Sequence, residues 1–312
     1  MITRLRTITI LLLLASVVFT TPHFWNVLTN KDIKEEKTEI VPPNPFEKIS
    51  LEAKSAYVLD INNMNVLYAK NEEEQFPLAS VTKIMTALVA TGLAPNSGLK
   101  IKITRNSLEP EGDSGLLVGD MWKLKDLMDF TLVSSSNDGA RAMASVAQFA
   151  LAPKTDEDKN AQEYFVEKMN ALAKALGMTQ TFFINESGLD ENEYLAGAYG
   201  SSKDMAVLLA HILINYPHLL EATVNSHIRA NSSYASYDAK NTNRDVETFP
   251  GIIASKTGFT DLAGGNLLIA YEAGPMRPIA IVVLGSSING RFEDAKKLLW
   301  ASLESISVKD GL

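Results

Sequence analysis

The chain has 312 residues, 46% hydrophobic and 21% charged, so it can bury a large core as one large domain or two. Its net charge is −8 without a long basic run, which argues against nucleic-acid binding because that function needs a cationic surface. The sequence has no cysteine and no H-x-x-x-H or H-E-x-x-H pair, which excludes disulfides, thiolate zinc sites and cysteine nucleophiles and leaves a helical zinc site without support.

The N-terminal segment has the pattern of an export signal. Arg4 and Arg6 precede an apolar run from Ile8 to Phe19, and no charged residue occurs from 7 to 30. The run is short for a full span, but no A-x-A-like cleavage site follows, and residues 24–28 can extend it to a membrane interface. We therefore predict that residues 1–30 are an uncleaved membrane anchor, with a cleaved signal peptide as the alternative. Either way, the remaining chain lies outside the cytoplasm.

Residues 31–48 are predicted to be a linker, and residues 49–312 a folded domain. The linker has mixed charges and then Pro42, Pro43 and Pro45, a composition typical of an extended tether. Strand-forming residues at 55–61 and 66–69, separated by Asn62-Asn63, predict a β-hairpin.

A core helix is predicted to begin at Ser80 and to end near Gly92 and Pro95. The later elements are helices over residues 124–132, 139–149, 165–176 and 202–216, strands over 252–260, 266–271 and 278–284, and a closing helix over 291–303. Short turns between the late strands imply an antiparallel meander. The order predicts one α/β (α+β) sandwich, with an antiparallel five-stranded sheet covered by helices and a helical lobe inserted between its strands.

Ser80 and Lys83 stand three residues apart where the core helix begins, so both side chains lie on one helix face. A serine hydroxyl is a poor nucleophile until a base takes its proton. A lysine can be that base if burial or a neighbouring cation lowers its pKa. Taken alone, this pair is more simply explained as a helix-capping serine and a solvated lysine.

Two further polar clusters stand in apolar surroundings. Ser135-Ser136-Asn137 falls at a break between helices, where a serine cap and a turn asparagine are the simpler interpretations. Lys256-Thr257-Gly258 lies inside an apolar strand, where a lysine is costly unless it faces a cleft and a glycine indicates close approach. The order S-x-x-K, S-x-N, K-T-G matches the motif set of penicillin-binding proteins and class A β-lactamases.

The sequence around these motifs resembles D-alanyl-D-alanine carboxypeptidases of the low-molecular-mass penicillin-binding type, the S11 serine peptidases. The similar stretches are residues 77–87, 185–190, 241–243, 256–261 and 291–297, and the resemblance runs from about Ala53 to Trp300. It implies a β-lactamase/transpeptidase-like fold. Many members carry a C-terminal β-domain and a membrane-binding tail, for which this chain has no room after the Trp300 helix. The N-terminal anchor is expected to replace that tail.

The resemblance also implies catalytic roles. Ser80 would be the nucleophile, and Lys83 its base, held partly neutral by repulsion from Lys256. Ser135 would pass a proton to the leaving D-alanine. Asn137 would orient Lys83 and hold the substrate amide.

Substrate binding is implied for residues 256–259. Thr257 would bind the terminal carboxylate of the substrate, with charge from Lys256. Gly258 would allow close approach, and the backbone N–H groups of Ser80 and Phe259 would form the oxyanion hole. Arg291 is a further candidate for the carboxylate pocket, against the alternative of a surface salt-bridge partner.

The implied substrate is a peptidoglycan pentapeptide ending in D-Ala-D-Ala, with β-lactams as covalent inhibitors and no metal or organic cofactor. Membrane contact would occur through the N-terminal segment, and no nucleic acid is expected. A serine β-lactamase is one alternative, although the stretch 191–196 does not match the E-x-x-L-N spacing of class A enzymes. A non-catalytic cell-wall peptide-binding protein of the same fold is the other.

Overall fold

A computed structural model describes residues 44–94, 96, 98–112, 114–151 and 157–310. The predicted anchor or signal over residues 1–30, and the predicted linker as far as residue 43, lie outside these described residues. Among the residues that are described, no helix is both long and apolar enough to cross a membrane.

The elements follow the chain in a β–α–β order. The strands are β1 (Ser55–Asp60), β2 (Asn65–Lys70), β3 (Phe76–Pro77), β4 (Lys100–Lys102), β5 (Met121–Lys123), β6 (Phe182–Phe183), β7 (Ala198–Gly200), β8 (His227–Asn231), β9 (Ser236–Lys240), β10 (Ile252–Thr260), β11 (Gly264–Glu272) and β12 (Pro278–Ser286). The α-helices are α1 (Lys83–Leu93), α2 (Leu124–Ser134), α3 (Asn137–Ala144), α4 (Glu157–Ala175), α5 (Ser202–Asn215) and α6 (Gly290–Asp310).

The main sheet joins the two ends of the described chain. Its order is β10-β11-β12-β1-β2, and every neighbouring pair is antiparallel. Strand β1 pairs with β12 across the whole length of β1, from Ser55 opposite Leu284 to Asp60 opposite Ile279. The predicted five-stranded antiparallel sheet is therefore confirmed.

Both faces of the sheet are covered, which explains why every residue of β1 is buried. Val58 points into a core that also contains Phe292 and Leu298 of α6. Leu59, the next residue, belongs to the other core, which includes the buried residues of α1 and α5. Successive side chains of a strand point to opposite faces, so β1 separates α6 from the helical lobe.

A short 3₁₀-helix, Pro45–Lys48, begins the packed structure. Asn44 caps this helix by accepting a hydrogen bond from the Phe46 N–H at 3.1 Å, and Phe46 is buried with the α6 core. The last residues of the segment predicted as a linker are thus part of the packed body.

Helix α1 lies at the centre of the lobe. Every residue from 83 to 90 is buried, as expected of the predicted core helix. Neighbouring helices surround α1, so it has no solvent-exposed side over its first two turns. This burial includes the Lys83 side chain.

The hairpin of β8 and β9 was not predicted. Its turn is held by Asp120, a buried residue more than 100 positions earlier, whose carboxylate accepts hydrogen bonds from the Ser233 hydroxyl at 2.9 Å and the Tyr237 hydroxyl at 3.2 Å. This long-range anchor gives no local sequence signal. The closing helix was also predicted too short, since α6 continues to Asp310.

Candidate active site

Ser80 lies on a 3₁₀ turn, Ala79–Thr82, that leads directly into α1. The prediction that Ser80 lies at the start of a helix is confirmed. Ala79 has a φ of +50°, which is unusual for a residue with a Cβ. Such strain persists only where surrounding contacts impose it, and it is common at functional sites.

The amine of Lys83 is the meeting point of three segments. Its Nζ donates to Ser80 Oγ at 2.8 Å, to Asn137 Oδ1 at 2.8 Å and to the Ser187 carbonyl at 2.9 Å. The residue has 0% solvent exposure. Three acceptors match the three protons of an ammonium group, so the buried amine has a complete set of partners.

Burial lowers the pKa of Lys83 from its usual 10.5 to about 7, while the negative charge of Glu186 acts in the opposite direction. A low-dielectric environment disfavours the charged amine. The predicted cause was repulsion from Lys256, and that was wrong: desolvation is the main cause. At neutral pH a large fraction of Lys83 is therefore free to accept a proton.

Three groups of residues form the corners of the site: Ser80 with Lys83, the break between α2 and α3, and Lys256 on β10. The break between α2 and α3 is the second corner. Ser136 is the N-cap of α3, and its hydroxyl accepts a hydrogen bond from the Gly139 N–H at 2.8 Å. Ser135 has a left-handed φ of +63° at the end of α2, and its hydroxyl accepts a hydrogen bond from Lys256 Nζ at 2.8 Å. The capping role therefore belongs to Ser136, and Asn137 is the first helical residue of α3 rather than a loop residue.

Lys256 on β10 forms the third corner. It is 2% exposed, and besides Ser135 its Nζ donates to the Thr257 carbonyl at 2.9 Å. Burial, together with the positive charges of Lys83 and Arg291, lowers the pKa of Lys256 well below its usual value. Two lysines with lowered pKa values, Lys83 and Lys256, thus lie in one cleft.

Residues 257–259 continue the site along β10. The Thr257 hydroxyl lies 2.6 Å from the Thr242 hydroxyl. A Cβ on Gly258 would lie 2.9 Å from the Leu78 carbonyl oxygen and 3.2 Å from the Ser80 nitrogen, which is why a glycine is needed there. This close approach brings the backbone at Phe259 beside the Ser80 turn, and the Phe259 side chain is exposed.

Two residues that support the corners were not predicted. Asn266, fully buried on β11, donates from Nδ2 to the Pro77 carbonyl at 3.0 Å and the Leu78 carbonyl at 2.9 Å. It ties the sheet to the Ser80 turn. Ser187 supplies a carbonyl to Lys83, and its loop is held by Asn185 Oδ1, which accepts from the Ser187 and Gly188 N–H groups. A buried asparagine in an apolar strand and the stretch 185–190 were the available signals.

Arg291 is buried rather than a surface salt-bridge partner. Its Nη1 donates to the Gly258 carbonyl at 2.7 Å, and its guanidinium lies 4.8 Å from the centre of the Phe292 ring. Burial lowers the pKa of Arg291 to about 10. It therefore supports the backbone of β10 next to the site.

A cavity of about 380 Å³ opens beside the first two corners. It is lined by Ser135 and Asn137 on one side and by Asp238 and Lys240 of β9 on the other. The structure thus brings all eight predicted site residues, Ser80, Lys83, Ser135, Asn137, Lys256, Thr257, Gly258 and Phe259, into one region where the lobe meets the sheet edge.

Comparison with known families covers most of the chain. Residues 39–287 match the S11 peptidase family model, described as D-alanyl-D-alanine carboxypeptidase. The chain belongs to this family. The resemblance stated from the motifs is confirmed.

This S11 family member is similar to proteins of several bacteria. The chain is 31% identical over 259 residues to D-alanyl-D-alanine carboxypeptidase DacF of Bacillus subtilis, a match covering 81% of this chain and 62% of DacF. It is 32% identical over 250 residues to a D-alanyl-D-alanine endopeptidase of Pseudomonas aeruginosa, covering 78% of this chain and 75% of that protein.

A solved structure supports the same assignment. Penicillin-binding protein D2 of Listeria monocytogenes, in its ampicillin-bound form, has a TM-score of 0.69 and 26% identity, covering 81% of this chain and 98% of that one. The penicillin-binding fold implied by the resemblance is confirmed. The chain spans about 62% of the length of DacF.

Gly188→Ala tests whether the loop must touch the Ser80 turn. A Cβ at Gly188 would lie 2.0 Å from the Ala79 carbonyl oxygen, so the loop must move and withdraw the Ser187 carbonyl from Lys83. We expect acylation of Ser80 by a penicillin to slow by roughly 100-fold.

The matched control is Gly177→Ala. Gly177 has almost the same φ, +75° against +74°, but nothing lies within 4 Å of its Cβ position. It should keep the wild-type acylation rate and lose about 1 kcal/mol of stability. If acylation slowed equally in both variants, backbone strain alone would explain the effect.

Proposed function

We propose that the protein is a serine-type D-Ala-D-Ala carboxypeptidase that removes the terminal D-alanine from peptidoglycan stem peptides through an acyl-enzyme on Ser80. The observation that carries the proposal is the fully buried Lys83 amine, 2.8 Å from Ser80 Oγ, with a pKa lowered to about 7. A base with a pKa near the working pH, in hydrogen-bond reach of a serine, suits nucleophilic catalysis.

Acylation begins when neutral Lys83 takes the Ser80 proton. The alkoxide attacks the carbonyl carbon of the penultimate D-alanine, and negative charge develops on the carbonyl oxygen. The N–H groups of Ser80 and Phe259 would bind that oxygen, because the close approach at Gly258 brings these two backbone segments together. The C–N bond then breaks, and the acyl group remains on Ser80.

The leaving D-alanine needs a proton on its nitrogen. The proton that Lys83 took from Ser80 would reach it by way of the Ser135 hydroxyl, which lines the cavity and lies 2.8 Å from Lys256 Nζ. Asn137 holds Lys83 through Oδ1, while its Nδ2 donates to the Glu111 carbonyl at 2.7 Å. In the complex, this amide would also meet the substrate backbone.

The terminal carboxylate of the substrate would bind Thr257 and Lys256. Its arrival places a negative charge beside Lys256, which raises the pKa of that lysine and favours its charged form. Lys256 would thus become charged only when the substrate binds. A lysine that is always charged would need stabilisation even while it is buried in a cleft without substrate.

Water then hydrolyses the ester and frees Ser80. A class A β-lactamase uses a glutamate to activate this water. Glu186, next to the Lys83-binding carbonyl, is buried and its Oε1 accepts from Arg141 Nε at 2.8 Å, so it is occupied by an ion pair. This favours slow release of β-lactams over β-lactamase action. Assembly of all the implied catalytic side chains favours an enzyme over a binding protein.

We further propose that residues 1–30 anchor the protein to the membrane, with the predicted linker up to residue 43 as the tether and the packed body that begins at Asn44 as an extracytoplasmic catalytic domain. The apolar run after Arg4 and Arg6 supports this location. Substrate and β-lactams would meet the enzyme on the cell-wall side.

Intact mass after incubation with benzylpenicillin tests the nucleophile. The wild type should gain the mass of one penicillin, and Ser80→Ala should gain none while also losing D-alanine release from a pentapeptide. Ser145→Ala is the control, because its hydroxyl donates to the Ala142 carbonyl three residues earlier and should not affect labelling. Unchanged D-alanine release by Ser80→Ala would refute the mechanism, and rapid release of hydrolysed penicillin would revive the β-lactamase alternative.

The acylation rate should depend on the charge of Lys83. Only the neutral amine accepts a proton, and its pKa is lowered to about 7, so the rate should rise with pH through a midpoint near 7 and then level off. The second-order rate constant with a chromogenic cephalosporin, measured from about pH 5 to pH 9, checks this. A midpoint near the usual lysine value of about 10.4 would contradict it.

Cell fractionation tests the anchor. The full chain should enter the membrane fraction, resist high salt, dissolve in detergent and retain Met1 to Asn30 in its measured mass. A chain that begins at Asn44 should not enter the membrane fraction. Recovery of the full-length product without its first 30 or so residues would favour the cleaved signal peptide instead.

A further inference from the structure

The contacts around Lys83 form two levels along α1. At the first level, Lys83 Nζ donates to Asn137 Oδ1 at 2.8 Å and to the Ser187 carbonyl at 2.9 Å. At the second level, the Thr86 hydroxyl donates to the Glu186 carbonyl at 2.6 Å. The carbonyls of Glu186 and Ser187, which are consecutive in the loop 185–190, thus accept hydrogen bonds from two residues on one face of α1.

A buried ion pair occupies the second level. Glu186 is 2% exposed, and its Oε1 accepts from Arg141 Nε at 2.8 Å. Residues three or four positions apart in a helix share a face, which places Thr86 below Lys83 and Arg141 below Asn137. The backbone positions of Thr86 and Arg141 therefore lie about one helical turn, roughly 5.4 Å, along their helices from Lys83 and Asn137.

A second contact fixes the arginine. Arg141 Nη1 donates to Gln162 Oε1 of α4 at 2.6 Å, so its guanidinium bridges two helices and the loop. A buried carboxylate needs such a partner, because an unpaired buried charge is strongly unfavourable. Arg141 is therefore the charge partner of the Glu186 carboxylate.

Few other charges act at this position. In the described part of the chain, the charged groups facing Lys83 are Lys256 from β10 and Glu186 from the loop. Helix α1 carries no charged residue besides Lys83. On α3, Asp138 is bonded to the N–H and hydroxyl of Ser114. The field of Glu186 favours the ammonium form of Lys83 and opposes the effect of burial.

We propose that the Glu186–Arg141 pair is a positioning element that sets the pH range in which Lys83 can act as a base. Glu186 attracts the Lys83 proton, and Arg141 limits that attraction by sharing the carboxylate. Without Arg141, Lys83 becomes the nearest cation to Glu186 and holds its proton more tightly. The inference rests on the proposed function, in which Lys83 activates Ser80.

The test is the pH dependence of Ser80 acylation by a chromogenic cephalosporin, measured on the full chain. Glu186→Gln should move the acidic limb to lower pH by about 0.5 to 1 unit, since the attracting charge is gone. Arg141→Gln should move it to higher pH by a similar amount. A purely structural role predicts a lower plateau or a lower melting temperature, without shifts of opposite sign.

Two controls sharpen the comparison. Glu193→Gln removes the same charge from an exposed position of the same loop and should leave the limb unchanged. Arg141→Lys keeps the positive charge and should restore the wild-type limb. If Glu186→Gln fails to fold, the contrast between the Gln and Lys variants of Arg141 still decides.

The outcomes distinguish failure of the ion-pair role from failure of the proposed function. Unchanged limbs, or shifts of the same sign in Glu186→Gln and Arg141→Gln, would overturn the role of the ion pair while leaving the proposed function intact. Failure of the wild type to acylate at any pH would instead refute the proposed function itself.

Discussion

The constraint on which the structure depends is the burial of one amine, that of Lys83. A buried amine must have hydrogen-bond partners, and they come here from the Ser80 turn, from Asn137 on α3 and from the Ser187 carbonyl. These segments span more than 100 residues of sequence, from Ser80 to Ser187, yet each must lie within 3 Å of one atom. Burial also lowers the pKa of the amine. The same packing that brings these segments together around Lys83 therefore makes Lys83 able to act as a base.

The sheet forms the other side of the site, and two of its residues hold it against the Ser80 turn. Asn266 on β11 binds two carbonyls before Ser80, and Gly258 on β10 lets the strand approach the same turn. Because β1 pairs with β12, the strands from both ends of the described chain form one rigid surface. The lobe is inserted between them, and its first helix presents Ser80 to the edge strand that carries Lys256.

Prediction succeeded where local pattern and tertiary environment agree. The apolar strand segments and the short turns of the late meander indicated β10 to β12, because turn chemistry is local. It failed where distant contacts decide. The β8–β9 hairpin depends on Asp120, which is more than 100 positions earlier in the chain. A helix cap was the structural alternative for the serines at the break between α2 and α3, and the backbone geometry gives that cap to Ser136.

The sequence by itself determined the chemical groups of the site, their order along the chain and the family to which the chain belongs, since these depend on residue identity and spacing. Only the tertiary structure decided their electrostatic state. Repulsion from Lys256 was the cause expected for a neutral Lys83, but burial is the larger effect, and Glu186 opposes it. Desolvation and charge proximity are properties of three-dimensional packing, and no spacing along the chain records them.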